Sequence, residues 1–423
     1  MTDFNRVFYC IDMKSFFASV ECAERGLDPL TTNLIVADPS VNEGAICLAI
    51  SPHLKKLGIK NRCRVYDIPK EIGYIKAKPR MKKYIEYAAE IYSIYLKYID
   101  KKDIHVYSID ECFIDATDYL KLYKLTAKEF VLKLINEIRG KLLIPASAGI
   151  GTNLFLAKVA LDITAKHSAD HIGFLTEEDF KKTLWNHRPI SDFWQISRGL
   201  QNRLKKFGIY DMEGIAKADE SVLYKEFGIN AELLIDHAWG RENCLISDIK
   251  NYKSKDKSIS NSQILPENYT FDEAQIIVNE MLQTGCYRLF KENLVTELIH
   301  LYVCYSDDED GKDVDKGCVR LPIATNLYTV ILGYVEKLFK KITDKKKLIR
   351  KIGFEFSCLS KDEFERYDFF TDLVKVDKEK KVVSKVIFLQ EKFGKNAILK
   401  GIDLSKKATQ MDRNGKIGGH NGG

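Results

Sequence analysis

The amino-acid sequence predicts an α+β protein of several domains, and three observations support this prediction. At roughly 150 residues per domain, a chain of 423 residues corresponds to about two to four domains. Apolar strand patterns alternate with helical patterns up to residue 175, whereas residues 176–243 carry short helical patterns separated by Gly turns. After a polar, basic linker, the remaining patterns follow a βαββαβ-like order.

The first half of the chain opens with an apolar strand that leads directly into a helix. The elements expected there are, in order, a strand "VFYCID", a helix "MKSFFASVE", short strands "NLIVAD" and "GAICLAI", a basic helix "SPHLKKLGI", a helix over 80–99, the strand–turn–strand "HVYSIDECFID", a helix over 126–143, the strand and glycine turn "PASAGIGTN", and a helix over 154–166.

The second half begins after a stretch at 245–263 that lacks apolar periodicity and therefore indicates a linker. The elements expected next are a strand "SISNSQIL", a helix over 271–291, a strand "TELIHLYVCYS", a strand "GCVRLPI", a helix over 326–341, a strand "LIRKIGFEFSCL" and a helix over 377–393. The final "RNGKIGGHNGG" is rich in Gly, Asn and Lys, and we expect it to be frayed.

The composition is that of a globular protein, with 45% hydrophobic and 30% charged residues. A net charge of +6 permits a nucleic-acid partner but does not by itself indicate one. The ten cysteines include no C-x-x-C pair, which favours reduced thiols in a cytosolic protein. No run of 18 apolar residues and no signal-peptide pattern occurs, so we expect a cytoplasmic protein without a membrane span.

The stretch "HVYSIDECFID" places two acids, Asp110 and Glu111, side by side between apolar residues. A buried carboxylate costs several kcal/mol unless it is paired or bound to a metal. Neighbours on a flat strand point to opposite faces, but at the tip of a tight turn both acids can approach one cation. Asp12, at the end of the strand "VFYCID", is the best third ligand. Three carboxylates and a main-chain carbonyl suit one or two Mg²⁺ ions, which also bind substrate phosphates.

Another interpretation of the acidic pair is an exposed hairpin tip with no function. Taken alone, "IDE" favours that interpretation, and Asp12 alone is equally weak. The combination with three further motifs favours the metal site over the hairpin tip.

The motifs "DMKSFFA" at 12–18, "SIDE" at 108–111, and "AK" at 157–158 and 165–166 stand in this order along the chain. With them the sequence resembles the Y-family translesion DNA polymerases of the UmuC/DinB group, and within it the UmuC-like UvrX-type proteins of Gram-positive bacteria and their mobile elements. The resemblance covers nearly the whole chain. It implies a right-hand polymerase with a ferredoxin-like palm, small fingers, a helical thumb with a helix-hairpin-helix, and a βαββαβ-like little finger.

The resemblance also implies domain boundaries. They are 1–22 and 78–172 for the palm, 23–77 for the fingers, 173–244 for the thumb, 245–257 for the linker, 258–360 for the little finger, and 361–423 for a tail that contains a clamp-binding peptide.

In the palm, the resemblance implies that Asp12, Asp110 and Glu111 are catalytic and hold two Mg²⁺ ions, with the Met13 carbonyl as a main-chain ligand. Phe17 stands where the family keeps an aromatic steric gate, which refuses ribonucleotides because the ring would clash with a 2′-hydroxyl. Without the motif, Phe17 would be interpreted as a core aromatic of the first helix.

For the incoming nucleotide, the resemblance places the turn residues Ser15 and Phe16, together with Phe17, at the triphosphate and sugar. Lys166 matches the family lysine that contacts the triphosphate, and Lys158 matches a neighbouring one. The segment 44–60 matches the wall of the nascent base pair. There Ser51 stands near the usual Tyr position, and Lys55 replaces an arginine charge. Solvated helix lysines remain the alternative for Lys158 and Lys166.

For DNA, the thumb segment "WQISRGLQNRLKKFGI" resembles a helix-hairpin-helix in which the usual hairpin glycines are replaced by Gln195 and Ser197. Basic residues of the thumb and linker suit phosphate contacts that do not read sequence; they are Arg198, Arg203, Lys205, Lys206, Lys253 and Lys255. An ordinary solvated basic face is the alternative.

The stretch "RYDFF" resembles a sliding-clamp-binding peptide, although Arg366 replaces the usual Gln. The implied clamp-binding residues are Arg366, Tyr367, Asp368, Phe369 and Phe370. A buried edge segment is the competing interpretation.

We therefore expect a monomeric, template-directed, error-prone DNA polymerase that uses two Mg²⁺ ions to add dNTPs to a primer on template DNA. Its expected partners are primer–template DNA, a sliding clamp and an accessory protein. Two alternatives remain. One is a palm-type nucleotidyl cyclase, which would not need a basic thumb. The other is a catalytically weak clamp- or DNA-binding regulator, which would not need all three acids.

Overall fold

The structure is a computed structural model that describes residues 6–39, 42–254, 257–306, 313–363, 367 and 371–423. The chain forms two compact units. The first unit comprises Met1–Tyr252 together with His420–Gly423, and the second comprises Lys253–Gly419. Among the described residues, no helix combines the length and apolar character that a bilayer span requires.

The first unit contains short strands interspersed with helices. Its strands are β1 (Phe8–Met13), β2 (Leu34–Val36), β3 (Ala49–Ile50), β4 (Ile75–Ala77), β5 (Ile104–Val106), β6 (Glu111–Asp115), β7 (Ala146–Gly151) and β8 (Ile172–Leu175). Its α-helices are α1 (Phe16–Ala23), α2 (Pro52–Lys56), α3 (Met81–Leu96), α4 (Thr117–Tyr123), α5 (Ala127–Leu142), α6 (Leu154–Val159), α7 (Glu177–Thr183), α8 (Arg198–Lys205), α9 (Met212–Ala216), α10 (Glu220–Phe227), α11 (Asn230–Ala238) and α12 (Ile246–Asn251).

The central sheet of the first unit has the strand order β5-β6-β1-β7-β8. Strand β1 is the middle strand and pairs antiparallel with β6 and β7, so that Asp12 lies opposite Glu111 on one side and Ser147 on the other. Helix α6 packs very closely on β7 because two positions there are glycine. A Cβ atom on Gly149 would lie 2.0 Å from the Ala157 carbonyl oxygen, and one on Gly151 would lie 2.2 Å from the Ala157 nitrogen.

A second, three-stranded sheet has the order β3-β2-β4 and its own apolar cluster. From residue 176 to residue 243 the structure contains helices and no strand, as the sequence predicts. Helices α7–α11 share one apolar core with α6 and β8, which includes Phe155, Leu175, Phe180, Leu204 and Leu223.

The second unit is built on a four-stranded antiparallel sheet, and the predicted βαββαβ order is confirmed. Its strands are β9 (Ile259–Tyr269), β10 (Leu294–Tyr305), β11 (Val314–Thr325), β12 (Ile349–Ser357), β13 (Ser360–Lys361) and β14 (Lys416–Ile417), and its helices are α13 (Phe271–Lys291), α14 (Tyr328–Ile342), α15 (Leu373–Phe393) and α16 (Gln410–Asn414). The order of the four main strands is β11-β10-β12-β9, and the two-residue strand β13 pairs with β10 as a fifth strand off this path. Apolar residues of α13 and α14 form one core with residues of this sheet.

The linker expected at 245–257 is partly wrong, because the structure places helix α12 within it. Its apolar residues Leu245, Ile246 and Ile249 pack against a cluster that contains Phe8 and Phe113. The Asp248 carboxylate accepts a hydrogen bond of 2.9 Å from the Leu245 backbone N–H, which caps the helix. A six-residue helix with two apolar side chains is too short to show clear periodicity in the sequence.

The frayed end expected at 413–423 is also wrong. Within the second unit, the Asn414 side-chain amide donates a 2.7 Å hydrogen bond to Asn396 Oδ1, and Lys416–Ile417 form strand β14. A last short strand, β15 (His420–Asn421), lies in the first unit. The predicted helix over 154–166 begins as α6 but continues as a π-helical turn at Ala160–Thr164 and a 3₁₀ turn at Ala165–His167.

Candidate active site

Two of the three predicted catalytic acids lie next to each other at the end of the central sheet. Asp12 on β1 and Glu111 on β6 are directly opposite partners of an antiparallel pair, so their side chains share one face of the sheet. Asp110 lies in the turn between β5 and β6, and its carbonyl oxygen accepts a 3.0 Å hydrogen bond from the Met13 N–H. That bond ties the tip of the hairpin to the end of β1.

Burial and two neighbouring acids disfavour the charged form of Asp12. Burial, together with the neighbouring carboxylates of Asp110 and Glu111, raises the pKa of Asp12 to about 7. A carboxyl group with such a pKa gains a favourable interaction when a cation arrives. The acid cluster therefore has the electrostatic character of a cation site.

Two of the acids are held by the protein's own donors. Lys158 Nζ lies 2.8 Å from Glu111 Oε1 and 3.0 Å from Asp162 Oδ1, and the Lys158 and Glu111 side chains are only 10% and 11% exposed. The Ser108 hydroxyl donates to Asp110 Oδ1 over 2.7 Å. In this conformation no three acid, histidine or cysteine side chains of the described residues are arranged to hold a metal.

The donor set nevertheless fits Mg²⁺, because carboxylate and carbonyl oxygens are the ligands that this ion takes in proteins. Asp12, Asp110 and Glu111 with the Met13 carbonyl could hold it once Glu111 and Asp110 turn from Lys158 and Ser108. The ion pairs of Lys158 with Glu111 and Asp162 are contacts that the resemblance did not imply.

A cavity of about 530 Å³ opens beside Asp12 and Asp110. Its volume lies in the usual range for small-molecule sites. The residues that line it are Asp12, Met13, Ser15, Phe16, Phe17, Ile46, Cys47, Leu48, Ala49, Lys55, Asn61, Arg62, Asp110 and His420.

The turn between β1 and α1 has the features of an anion site within this cavity. Ser15 adopts a left-handed backbone conformation with φ of 48°, which is uncommon for a residue with a side chain. Its hydroxyl oxygen is buried and has no hydrogen-bond partner among the described residues. The first backbone N–H groups of α1 follow directly, and these have no partners within the helix.

Phe17 lines the cavity, and its ring packs against the ring of Tyr84. It stacks on the Tyr84 ring with centroids 4.5 Å apart and an interplanar angle of 19°. The Tyr84 hydroxyl in turn donates to Glu21 Oε1 over 2.9 Å. The ring is therefore positioned by packing and not only by its own helix.

Of the other predicted nucleotide-binding residues, Lys55 lines the cavity, whereas Lys166 and Ser51 do not. Partial burial lowers the pKa of Lys55, although its side chain is largely exposed, and its ammonium lies within electrostatic range of Asp12, Asp110 and Lys166. Lys166 does not line the cavity. Ser51 is fully buried, and its hydroxyl oxygen accepts hydrogen bonds of 3.3 Å from Leu34 N–H and Leu54 N–H. Ser51 thus caps helix α2 and is outside the cavity lining.

The predicted DNA-binding residues Arg198, Lys205 and Lys206 are exposed on or directly after α8. Arg203 is instead held by Glu226, with Nε 2.8 Å from Oε1. Lys253 is exposed, whereas Lys255 lies outside the described residues. Of the predicted clamp peptide only Tyr367 is described, and Arg366, Asp368, Phe369 and Phe370 lie outside the described residues.

Sequence reasoning missed three polar residues of the cavity wall, Asn61, Arg62 and His420. Asn61 and Arg62 follow the basic helix α2, so their position in a polar turn beside a predicted nucleotide site was a usable signal. His420 carries no such signal, because its neighbours in the cavity lie more than 300 positions earlier in the chain.

The comparisons with known proteins agree with this arrangement. The family model described as "impB/mucB/samB family" matches residues 11–162, and "impB/mucB/samB family C-terminal domain" matches residues 256–369. The chain is 31% identical over 417 residues to UvrX of Bacillus subtilis (strain 168), named for UV-damage repair, covering 97% of this chain and 96% of the relative. It is 29% identical over 422 residues to DNA polymerase IV 2 of the same organism, covering 98% of each chain.

Among solved structures, a Y-family DNA polymerase chimera of Dbh and Dpo4 matches with a TM-score of 0.63 at 22% identity, over 83% of this chain and 98% of that one. This likeness confirms the predicted α+β fold with palm, fingers, thumb and little finger. The matched regions contain the β1–β6 acid pair and the four-stranded unit described above. By its sequence and fold, this chain belongs to the impB/mucB/samB family, the UmuC/DinB-like polymerases of the Y-family.

Proposed function

We propose that this protein is a template-directed DNA polymerase that carries out error-prone translesion synthesis, extending a primer 3′-hydroxyl with dNTPs through two Mg²⁺ ions. The observation that carries this proposal is the placement of Asp12 and Glu111 as direct neighbours, with Asp110 at the hairpin tip, beside a cavity that Phe17 lines. The polymerase names of the full-length relatives support the same function, and the name of UvrX supports a role at damaged DNA.

The residues divide the work of the reaction between them. Asp12, Asp110, Glu111 and the Met13 carbonyl would hold the ions at the end of β1. When bound, Mg²⁺ supplies polarisation of the attacking hydroxyl and charge neutralisation at the leaving pyrophosphate. Ser15 and the first N–H groups of α1 receive phosphate oxygens, and the Lys55 and Lys166 ammonium groups add positive charge. Phosphoryl transfer requires positioning and charge neutralisation above all, which is what these groups provide.

We assign the domains as the resemblance implies: palm 1–22 and 78–172, fingers 23–77, thumb 173–244 and little finger 258–360. The support is that strands β1, β5, β6 and β7 of the central sheet lie within the palm ranges, the small β3-β2-β4 sheet lies within the fingers range, helices α7–α11 lie within the thumb range and strands β9–β12 lie within the little-finger range. Strand β8 (Ile172–Leu175) runs past the palm boundary at 172. Exposed Arg198, Lys205 and Lys206 would contact the DNA backbone, and the peptide at 366–370 would bind a sliding clamp.

The test is primer extension with Mg²⁺ on undamaged and abasic templates. Asp110→Asn and Glu111→Gln should each reduce extension by about 100-fold or more, because each removes charge that stabilises the transition state. Asp118→Asn is the matched control, since Asp118 is an exposed acid on α4 that does not line the cavity. It should extend primers like the wild type, and all three variants should keep the wild-type circular dichroism spectrum. Undiminished extension by both active-site variants would refute the assignment.

A further inference from the structure

The segment His420–Gly423 belongs to the first unit, although the residues that precede it belong to the second. The Gly422 carbonyl oxygen accepts a 2.9 Å hydrogen bond from the Lys82 backbone N–H, and Gly422 is buried. Gly423 lies against Arg80. The segment is therefore docked on the first turn of helix α3.

This docking provides a hydrogen-bond acceptor for the Lys82 backbone N–H in the first turn of helix α3. The first N–H groups of a helix have no partner within it, and the Arg80 side chain, at the position before α3, provides no cap. Gly422 supplies the missing acceptor from a distant part of the chain. Arg80 is itself held by Glu21, with Nε and Nη2 each 2.9 Å from a carboxylate oxygen. The Arg80 side chain, against which Gly423 lies, is thus held in place by Glu21.

The same first turn of α3 carries Tyr84, on which Phe17 stacks. The docked segment consequently lies on the Phe17 side of the cavity, and His420 lines that cavity together with Phe17, Asp12 and Asp110. The cavity still measures about 530 Å³ with His420 in place, which is room for a ligand. His420 is therefore part of the wall and does not fill the site.

We propose that His420 is a further nucleotide-binding residue, whose imidazole hydrogen-bonds the 3′-hydroxyl of the incoming dNTP. This inference rests on the proposed function, which places the sugar against Phe17. A neutral imidazole offers one N–H donor and one nitrogen acceptor, so it can bond a hydroxyl group in either direction. The segment 420–423 would then complete the sugar pocket from outside the palm and fingers.

The experiment measures single-nucleotide incorporation by the full chain, with KM and kcat for a dNTP and for the matching ddNTP, which lacks the 3′-hydroxyl. His420→Ala should raise KM for the dNTP about three- to tenfold, the range expected for one hydrogen bond, with kcat nearly unchanged. KM for the ddNTP should change by less than about twofold, because this nucleotide has no 3′-hydroxyl for His420 to bond. His420→Gln keeps a donor and an acceptor and should restore most of the affinity.

Met411→Ala is the matched control, because Met411 is 48% exposed, belongs to the same stretch of chain and does not line the cavity. It should leave both KM values unchanged. An unchanged KM in His420→Ala would overturn the inference. So would a lower KM, which would mean that the segment obstructs the site, or an equal rise for dNTP and ddNTP, which would place the contact away from the 3′-hydroxyl.

Nucleotide binding without turnover separates this inference from the proposed function. Equilibrium dNTP affinity is measured on a primer that ends in a dideoxynucleotide, for wild type and His420→Ala. If wild type does not extend primers but binds dNTP more tightly than His420→Ala, the polymerase proposal fails and the His420 contact stands. If wild type extends primers and the two affinities are equal, only the His420 contact is refuted.

Discussion

Phe17 illustrates how single residues of this site depend on neighbours distant in sequence. Its ring stacks on Tyr84, the Tyr84 hydroxyl donates to Glu21, and Glu21 is completely buried. Stacked aromatic rings contribute about 0.5–1.5 kcal/mol beyond the apolar area that they bury. The ring at the cavity wall is thus held in one place, as the proposed steric gate requires.

At this scale we predict that Phe17→Ala loses discrimination against ribonucleotides. Removal of the ring opens space for a 2′-hydroxyl, so the ratio of kcat/KM for dNTP over rNTP should fall by about tenfold or more, equivalent to about 1.4 kcal/mol. Incorporation of both nucleotides on one template checks this. Phe17→Tyr keeps the ring and should keep the discrimination. Equal ratios for Phe17→Ala and wild type would remove Phe17 from the sugar.

At the scale of elements, helices α1 and α3 are joined by one buried carboxylate. Glu21 on α1 accepts hydrogen bonds from Arg80 at the start of α3 and from Tyr84 on α3, and it also pairs with Arg25. Burial acts to raise the pKa of Glu21, but the hydrogen bonds from Arg80, Arg25 and Tyr84 outweigh it and hold the pKa below its ordinary value. This cluster fixes α1, and therefore Phe17, relative to α3.

We predict that Glu21→Ala destabilises the protein by about 1–3 kcal/mol, because it leaves the buried Tyr84 hydroxyl without its acceptor and leaves the partly exposed Arg80 with Glu24 as its remaining partner. Glu24→Ala, which removes a more exposed partner of the same Arg80, should cost less than about 1 kcal/mol. Urea unfolding monitored by circular dichroism measures both. A cost below about 1 kcal/mol for Glu21→Ala would contradict the structural role.

The same carboxylate predicts a pH dependence of stability. Because the pKa of Glu21 is lower in the folded state than in the unfolded state, its stabilising contribution is complete above the unfolded value of about 4.3 and is lost as the pH falls through the folded value. The free energy of unfolding of wild type should therefore decrease more steeply below about pH 4.3 than that of Glu21→Gln. Parallel curves for the two proteins between pH 5 and pH 3 would contradict this linkage.

At the scale of the whole molecule, charge is distributed unevenly. The net charge is only +6, so attraction to DNA must come from local groups and not from the overall field. Arg198, Lys205 and Lys206 are exposed close together in the sequence, whereas Arg203, between them, is engaged by Glu226. The first three are therefore the cations of this stretch that are best placed to release counterions on binding.

We predict that DNA affinity falls with salt and that replacing Arg198, Lys205 and Lys206 by Ala reduces the slope of log K against log salt by about 2–3. Each phosphate contact contributes about 0.9 to that slope. A triple Ala variant of Lys101, Lys102 and Lys121, exposed residues outside the predicted DNA contacts, removes the same charge and should keep the wild-type slope. Fluorescence anisotropy at several salt concentrations checks this. Equal slopes for the two triple variants would exclude specific contacts by the α8 residues.

Much of the fold and of the acid site could be predicted from the sequence. The helices expected over 80–99, 126–143 and 271–291 appear as Met81–Leu96, Ala127–Leu142 and Phe271–Lys291, because long amphipathic stretches and their end signals are local properties of the chain. The strand end at Asp12 and the hairpin at Asp110 and Glu111 are local patterns, and the structure places Asp12 opposite Glu111. That these acids are catalytic was implied by the resemblance and stays a prediction.

What only the tertiary structure decided depends on contacts between residues far apart in the chain. Lys158 reaches Glu111 because Gly149 and Gly151 let α6 approach β7 very closely, and no sequence period records that approach. Gly422 lies in a stretch whose composition indicates fraying. Its carbonyl oxygen nevertheless accepts a hydrogen bond from the Lys82 backbone N–H, and the neighbouring His420 lines the cavity. Periodicity and capping are short-range signals. A hydrogen bond over 340 positions exists only once the chain has folded around it.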